Sequence, residues 1–458
     1  MRLNSTVRRG VLSCCATLVV GGVALIPATS APANESGADN PRLARWETRG
    51  SVSDAHAASR TARPTDTRGS VIGINGELSH ALIDSAADDL GIRWLRTTVE
   101  WSFHTTLQQY EREVAGAGAG VWPHLGSFRD QSAYAHARGR RVLAIAMAAP
   151  PWARGADRRD GGYPWHQAIL PRFRLAFAEY AKQLCLAGAD AIEVINEPNL
   201  AREYAFGPEH PRRDHPTERV DDYVLLLRSV YDHIKADART ASCLVGIGAP
   251  APVGHELSND PAFIHPTVWY RQLFHATADD RKTPVSARGK FDFAAVHPYA
   301  EFGQQRGPTD WGYRWPAHLL QYGDAAYAHG MALVSRIRAE LVAAGEAGKS
   351  LWATEVGAPT YGGSCRTRPC VSEARQAQWV RDYLRAWLTG ERTGWHAPLP
   401  SHYYGEFTGP IFFYEWRDKS DGHAAPTDKE GFFGLLRFDG TKKPAFAVLK
   451  AQAALPRP

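Results

Sequence analysis

Short apolar runs alternate with longer amphipathic stretches from residue 70 to near the end of the chain. Runs of four to eight apolar residues bounded by turn formers indicate strands, and apolar residues recurring every three or four positions indicate helices. The eight predicted strands are 70–76, 92–96, 141–147, 191–195, 243–248, 291–296, 350–354 and 409–414. The predicted helices lie at about 79–89, 126–138, 170–187, 219–238, 265–276, 323–346, 372–389 and 443–454.

This alternation of strands and helices predicts an α/β fold with a parallel sheet. Eight units over about 390 residues favour a closed (β/α)8 barrel. An open doubly wound sheet usually carries a glycine-rich phosphate loop after its first strand, and Gly73-Ile-Asn-Gly76 lacks that spacing. The loops after the third, fourth, sixth and eighth strands are long, and in a barrel they line the carboxyl-terminal face where active sites are built.

The first 33 residues have the pattern of an export signal. Arg2, Arg8 and Arg9 precede an apolar stretch at 11–26, and small residues follow at 31–33. The sequence therefore predicts a signal peptide at 1–33, a polar tail or linker at 34–68 and one catalytic domain at 69–458. We expect a secreted, extracellular monomer with no stable membrane span after signal cleavage, although an uncleaved anchor is the alternative.

Composition and charge narrow the partners. The net charge is +5 from 53 basic and 48 acidic residues, a balance too mild to favour nucleic acid or an anionic membrane. The chain has 14 Trp, 17 Tyr and 17 Phe. Aromatic rings stack well on the flat apolar faces of sugars, although most of these rings are expected in the core.

Four cysteines remain beyond the predicted signal peptide, and an even number in an exported chain predicts disulfides. Cys365 and Cys370 are close enough in sequence to close a small loop around Pro369, which leaves Cys185 to pair with Cys243. Free thiols, or one bridge only, are the alternatives. No CxxC spacing occurs, so a zinc site is not expected.

Two of the eight predicted strands run directly into a glutamate. The fourth ends in Val194-Ile-Asn-Glu-Pro-Asn199 and the seventh in Leu351-Trp-Ala-Thr-Glu355. On a barrel, these strands place Glu197 and Glu355 across the mouth from one another. Cleavage of a glycosidic bond needs such a pair, because one carboxyl protonates the leaving oxygen while the other acts as nucleophile or activates water. The alternative for Glu197 is a solvated loop acid.

The Asn196-Glu197-Pro198 segment, with a glutamate ending the seventh strand, resembles the retaining glycoside hydrolases of clan A. The longer Ile195-Asn-Glu-Pro-Asn199 and the later His297-Pro-Tyr299 are similar to families 5 and 39, of cellulase or β-xylosidase type. The resemblance spans about residues 70–454. It implies double displacement on an oligo- or polysaccharide, no cofactor and no metal, with Glu197 as acid/base and Glu355 as nucleophile.

The resemblance also assigns substrate-binding roles to residues at other strand ends. Asn196 would bond the sugar 2-OH, Arg96 would bond the nucleophile, His297 and Tyr299 would orient it, and Trp416 would stack under the sugar. A cation beside a carboxylate keeps it ionised, which makes chemical sense of Arg96. The alternatives are a rim arginine, a structural histidine and a core tryptophan.

The sequence also predicts the roles of two further residues at the rim of the barrel. Trp152 stands among prolines in Ala149-Pro-Pro-Trp-Ala153, which indicates a stacking platform, with core packing as the alternative. Glu415 is a third carboxylate near the rim. Side chains alternate along extended chain, so Glu415 should point away from Trp416 and lie outside the catalytic pair.

Two other functions use the same sequence features. An exported carbohydrate-binding protein with a degenerate glycosidase site would retain the barrel without turnover, and a transglycosylase would use the same two glutamates. A metal-dependent barrel hydrolase is disfavoured, because the first strand ends without an H-x-H pair.

Overall fold

The computed structural model describes residues 67–118, 120–153, 169–200, 204, 216–253, 263–299, 326–360, 371–389, 407–420 and 429–457. Within them, eight parallel strands close into a barrel. The barrel strands are β1 (Ile72–Asn75), β2 (Trp94–Glu100), β3 (Arg141–Met147), β4 (Ala191–Val194), β5 (Leu244–Ile247), β8 (Phe293–Val296), β9 (Ser350–Val356) and β10 (Thr408–Phe413). The pair β6 (Ala276–Thr277) and β7 (Pro284–Val285) forms a separate antiparallel ribbon.

Helices follow the barrel strands and pack outside them. They are α1 (His80–Asp84), α2 (Leu107–Ala117), α3 (Gly126–Ala137), α4 (Arg174–Leu186), α5 (Pro216–Ala236), α6 (Pro266–Leu273), α7 (Ala326–Ala343), α8 (Glu373–Thr389) and α9 (Pro444–Ala453). All eight predicted strands are present, and the closed order confirms the (β/α)8 barrel. Ser372 caps the start of α8, because its hydroxyl accepts from Arg375 N at 3.2 Å.

Two elements were not predicted. Helix α2 buries none of its side chains fully, but Leu107, Tyr110, Val114 and Ala117 recur at helical spacing, and that spacing was the available signal. Its start is fixed by a capping box, in which Thr106 and Gln109 exchange side-chain-to-backbone hydrogen bonds. The β6–β7 ribbon has only two residues in each strand, which is too short for any pattern.

The predicted bridge between Cys185 and Cys243 is confirmed. It joins the end of α4 to the residue before β5, with 6.0 Å between the Cα atoms and 58 residues between the cysteines. Cys365 and Cys370 lie outside the described residues, as do the predicted signal peptide and nearly all of the predicted tail. None of the described helices combines the length and apolar character that crossing a membrane requires.

The inside of the barrel is filled in layers. The layer nearer the amino-terminal ends is apolar and consists of Trp94, Leu143, Ala191, Phe293, Trp352 and Phe412, with Ala249 and Ala295 packed against it. The Trp352 ring stacks on Phe293 at 3.9 Å and meets Trp94 edge-on at 5.0 Å. Gly246 leaves room for this stack, because a Cβ there would come within 2.2 Å of the Phe293 ring. These rings close the lower half of the barrel.

The next layer toward the carboxyl-terminal ends is polar. It contains Arg96, Glu193 and Thr354, each two residues beyond a member of the apolar layer, as expected for side chains on the same face of a strand. Arg96 is 2% exposed, and Glu193 and Thr354 are fully buried. Buried charge is costly unless it is paired, so this layer dictates how the residues above it are arranged.

Candidate active site

Glu197 lies in a tight turn that follows β4. Ile195 and Glu197 have φ angles of 63° and 46°, in the left-handed region that non-glycine residues rarely adopt and that β-branched residues strongly avoid. Neighbouring backbone holds the turn, because Glu197 N donates to Ala249 O at 3.0 Å. Gly248 permits the close approach, since a Cβ there would lie 2.0 Å from Ile195 O. Strain of this kind concentrates at functional sites.

Glu355 ends β9 beside the buried Arg96. Arg96 Nη1 donates to Glu355 Oε1 at 2.6 Å, and the Tyr299 hydroxyl donates to Glu355 Oε2 at 2.8 Å. Both Glu355 oxygens therefore have a fixed donor, and the Glu355 side chain keeps 12% of its surface exposed. Donors on both oxygens fix the orientation of the carboxylate, and the exposed edge leaves it open to a ligand.

His297 follows β8 and connects the two glutamates. Its Nδ1 lies 3.1 Å from Glu197 Oε1 and 3.6 Å from Glu355 Oε2. Its Nε2 is buried and has no hydrogen-bond partner among the described residues. A proton on Nδ1, donated to Glu197, therefore satisfies the ring best.

The separation of the two carboxyl groups is short. One ligand atom each from Glu197, His297 and Glu355 lies within 4.8 Å of the others. The oxygens of Glu197 and Glu355 thus approach one another closely enough to act on the same atom of a ligand.

Charges around Glu355 favour its ionised form. Burial acts to raise the pKa of Glu355, but the charges of His297 and Arg96, with hydrogen bonds from Arg96 and Tyr299, bring it below its ordinary value. Burial and the nearby Glu355 charge raise the pKa of Tyr299 well above its usual range, so Tyr299 stays protonated and remains a donor. Glu355 is therefore a carboxylate across the neutral pH range.

Five of the other predicted site residues lie around Glu355, and they are Arg96, Asn196, Glu197, His297 and Tyr299. Arg96, His297 and Tyr299 contact the two glutamates, and Asn196 joins them because its Oδ1 accepts from Arg96 Nη2 at 2.9 Å.

The predicted platforms Trp416 and Trp152 are described by their contacts with other residues. Trp416 packs near Phe446 of α9, with 6.4 Å between ring centroids. Trp152 meets Trp101 at 5.2 Å and donates from its indole N–H to His104 O at 2.7 Å. Both rings are half-buried, and stacking on a sugar stays a prediction for each.

Tyr414 is the aromatic residue beside the carboxylates that the prediction missed. Its ring lies 6.5 Å from that of Tyr299. Burial first, and then the charges of Glu415 and Glu355, raise the pKa of Tyr414 above its ordinary value. Tyr414 is two residues beyond Phe412 of the apolar layer, and that inward-facing period was the available signal.

Asn75 and Glu193 were also missed. Arg96 Nη1 donates to Asn75 Oδ1 at 2.7 Å, and Arg96 Nε donates to Glu193 Oε2 at 2.8 Å. Glu193 interrupts the otherwise apolar run Ala191-Ile-Glu-Val194, and a charge inside a barrel strand is the signal that could have found it.

The described partner of the Glu415 carboxyl is not one of those that hold the catalytic pair. Glu415 Oε2 pairs with the half-exposed Lys419 at 2.9 Å, and its buried Oε1 has no hydrogen-bond partner among the described residues. Burial raises the pKa of Glu415 to about 7, against the lowering effect of Lys419.

A second cluster brings His104, Glu113 and His124 close enough to suggest a metal site. His104 Nδ1, however, accepts the indole N–H of Trp101 at 2.9 Å. Its Nε2 must therefore carry the ring proton, which it donates to Glu113 Oε2 at 2.8 Å. A metal-bound histidine has the reverse arrangement, in which the second nitrogen donates, so this cluster does not suit a metal.

No model of a known protein family matches the chain, and no curated protein matches it in sequence. Solved structures do match in fold. A glycoside hydrolase of family 5, subfamily 18, from Streptomyces cattleya, solved with GlcNAc, superposes with a TM-score of 0.50 and 18% identity, over 86% of this chain and 83% of its own.

Two other matches are a family 39 glycoside hydrolase and a β-xylosidase. The first, from Bacteroides cellulosilyticus WH2, has a TM-score of 0.49 and 19% identity over 84% of this chain; this chain spans only 63% of that enzyme's length. The second, from Caulobacter crescentus CB15, has a TM-score of 0.47 and 16% identity, over 85% and 68% of the two chains. The chain has a (β/α)8 barrel and shares this fold with the Streptomyces cattleya glycoside hydrolase.

Proposed function

We propose that this chain is a retaining glycoside hydrolase that cleaves β-linked glycans or glycosides by double displacement. The observation that carries the proposal is the approach of the two glutamates, with oxygens within 4.8 Å. Retaining glycosidases hold their carboxyl groups about 5–5.5 Å apart, whereas inverting enzymes need about 6.5–9.5 Å to admit a water molecule between carboxylate and sugar. The 4.8 Å limit applies to the nearest facing oxygens of Glu197 and Glu355, and an approach this close fits the shorter arrangement, in which the carboxylate attacks directly.

In the first step, Glu355 attacks the anomeric carbon while the bond from that carbon to the leaving oxygen breaks. The Glu197 carboxyl gives its proton to that oxygen, which departs as an alcohol. The sugar is then esterified to Glu355. Arg96 and Tyr299 hold the Glu355 carboxylate ionised and oriented for this attack.

In the second step, the Glu197 carboxylate takes a proton from water as the water oxygen attacks the anomeric carbon. The bond to Glu355 breaks, and the sugar leaves with its original configuration. His297 Nδ1, near an oxygen of each glutamate, is placed to steady Glu197 through both steps.

Asn196 and Tyr414 are proposed to bind the sugar. The Asn196 oxygen is occupied by Arg96, so its amide N–H groups are the ones directed to a ligand, and the 2-OH of a sugar can accept from them. Tyr414 offers an aromatic ring next to the carboxylates. Export by a cleaved signal peptide, with extracellular action as a monomer, is part of the same proposal.

The test is the stereochemistry of hydrolysis. The mature protein is incubated with aryl β-glycosides of glucose, xylose, mannose and galactose, and with β-linked polysaccharides, and the first-formed product is observed by proton NMR. We expect the β anomer to appear first. An α anomer formed first would contradict retention, and a folded protein that turns over none of the substrates would contradict hydrolysis.

A further inference from the structure

Glu193 is a fully buried carboxylate directly beneath the two glutamates. Its Oε2 accepts from Arg96 Nε at 2.8 Å, and the opposite side of the same guanidinium donates to Glu355 Oε1 at 2.6 Å. Arg96 therefore lies between two carboxylates in the buried polar layer. A single positive charge is shared by two negative ones.

Fixed neighbours hold Glu193 in place. Ala249 N donates to its Oε1 at 3.0 Å, and the Thr354 hydroxyl donates to the same oxygen at 3.2 Å. Both Glu193 oxygens are thus satisfied inside the barrel. This anchoring lets Glu193 fix the fork of Arg96 without touching a substrate.

The charge of Glu193 has a second effect. Arg96 alone would stabilise the Glu355 carboxylate so strongly that it would become a poor nucleophile. Burial acts to lower the pKa of Arg96, but Glu193 and Glu355 together raise it, which shows that both carboxylates act on one cation. At Glu355, the negative charge of Glu193 offsets part of the positive potential of Arg96.

We propose that Glu193 is a positioning residue of the catalytic site, which aims Arg96 at Glu355 and offsets its charge so that Glu355 remains nucleophilic. The inference rests on the proposed glycosidase function and adds a role for a residue that meets neither substrate nor water. The other charged or titratable groups that face Glu355 are His297 and Tyr299 after β8, Glu197 after β4 and Tyr414 after β10.

The test is the pH profile of kcat/KM for Glu193→Gln, which keeps the shape of the side chain and removes its charge. The acid limb of this profile reports ionisation of the free enzyme's nucleophile. We expect the limb to move to lower pH by about one unit, since a negative charge a few ångströms from Glu355 has been removed. We also expect kcat/KM to fall roughly ten- to a hundredfold, the range seen when groups that orient metal ligands are removed.

The direction of the shift separates this proposal from a purely structural role. If Glu193 only supported the fold, its loss would let Arg96 drift from Glu355, and the limb would stay in place or move to higher pH. Either result would overturn the proposal. Asp222→Asn is the matched control, because Asp222 is a buried carboxylate that pairs with Arg174 at 3.2 Å in the helix layer, and its loss should leave the limb unmoved.

Thr354→Val keeps the test decisive if Glu193→Gln does not fold. This near-isosteric change removes one hydrogen-bond donor from Glu193. The negative charge of Glu193 then acts more strongly on Arg96 and Glu355, and the acid limb of the pH profile should move a few tenths of a unit to higher pH. An unmoved limb would contradict the proposal. Wild-type turnover is measured first, so an inactive wild type refutes the proposed function, whereas an active wild type with the wrong shift refutes only the role of Glu193.

Discussion

The ends of β9 and β10 each present a buried glutamate at the barrel mouth, and the two differ in every partner. Glu355 receives hydrogen bonds from Arg96 and Tyr299, and its pKa lies below the ordinary value. Glu415 has only the half-exposed Lys419 on one oxygen and no partner on the other among the described residues, and burial raises its pKa to about 7. Both are carboxyls in strand-end positions, yet only Glu355 is prepared to act as an anion.

Strand position alone therefore does not identify a nucleophile. A carboxyl that is protonated through much of the neutral range cannot attack an anomeric carbon efficiently. The buried layer beneath the mouth makes the distinction, since it supplies Glu355 with a rigid cation and leaves Glu415 to a flexible lysine at the surface.

The largest expected effect separates the two glutamates directly. Glu355→Gln should lower kcat by about 10⁴-fold or more, because it removes the covalent nucleophile. Glu415→Gln should change kcat by less than about threefold, since it preserves shape outside the catalytic pair. Steady-state kinetics on an activated aryl glycoside provide the measurement. A larger loss in the Glu415 variant would reverse the assignment.

Glu197→Gln tests the other member of the pair. Loss of the general acid should slow cleavage by about 10²–10⁴-fold for a poor leaving group. The loss should be much smaller for a dinitrophenyl glycoside, because that leaving group departs without a proton. Comparing kcat/KM for the two substrates gives the result. An equal loss with both would argue that Glu197 is not the acid.

Tyr299→Phe removes one donor from Glu355 and should cost about ten- to a hundredfold in kcat/KM, as for a hydrogen bond to a charged group. The Tyr299 bond helps to lower the pKa of Glu355, so its loss should move the acid limb to higher pH. The pH profile from pH 3 to 8 gives the measurement. A limb that moves to lower pH would contradict the electrostatic account of the site.

The remaining prediction concerns the contribution of Glu415 to stability. Folded Glu415 keeps its proton up to about pH 7, while the unfolded chain releases it near the ordinary value of 4.5. Between these values the folded state binds more protons, so Glu415 makes the free energy of unfolding fall as pH rises, by up to about 3 kcal/mol.

Urea unfolding at pH 4.5 and pH 7.5 checks this prediction, with Glu415→Gln as the comparison. The variant should lose less stability than the wild type between these two pH values. Equal losses would show that Glu415 titrates normally and would weaken its contrast with Glu355.

Much of the fold was predictable because it depends on local patterns. Eight apolar runs gave eight strands, and the two glutamates could be placed across the barrel because each lies near the carboxyl-terminal end of its strand. The pair Cys185 and Cys243 followed from spacing, which left few choices. Helix α2 was missed although its apolar residues Leu107, Tyr110, Val114 and Ala117 recur at helical spacing.

The residues that surround and position the two glutamates were harder to predict. Glu193 acts through Arg96, and that contact joins residues 97 apart in sequence across the barrel interior. Tyr414 lies near Glu355 because the inward period continues past the end of β10, and the prediction named Trp416 without considering Tyr414. These relations depend on barrel closure and register, which a single strand does not encode.

The most direct test of the central claim is trapping with 2-deoxy-2-fluoro glycosyl fluorides, followed by peptide mass spectrometry. The fluorine slows the second step, so the covalent intermediate accumulates on the nucleophile. Gluco, xylo, manno and galacto reagents are tested on the mature wild type, with Glu355→Gln as the control. The account predicts a single label on Glu355 that is absent from the control. A label on Glu415 would contradict it.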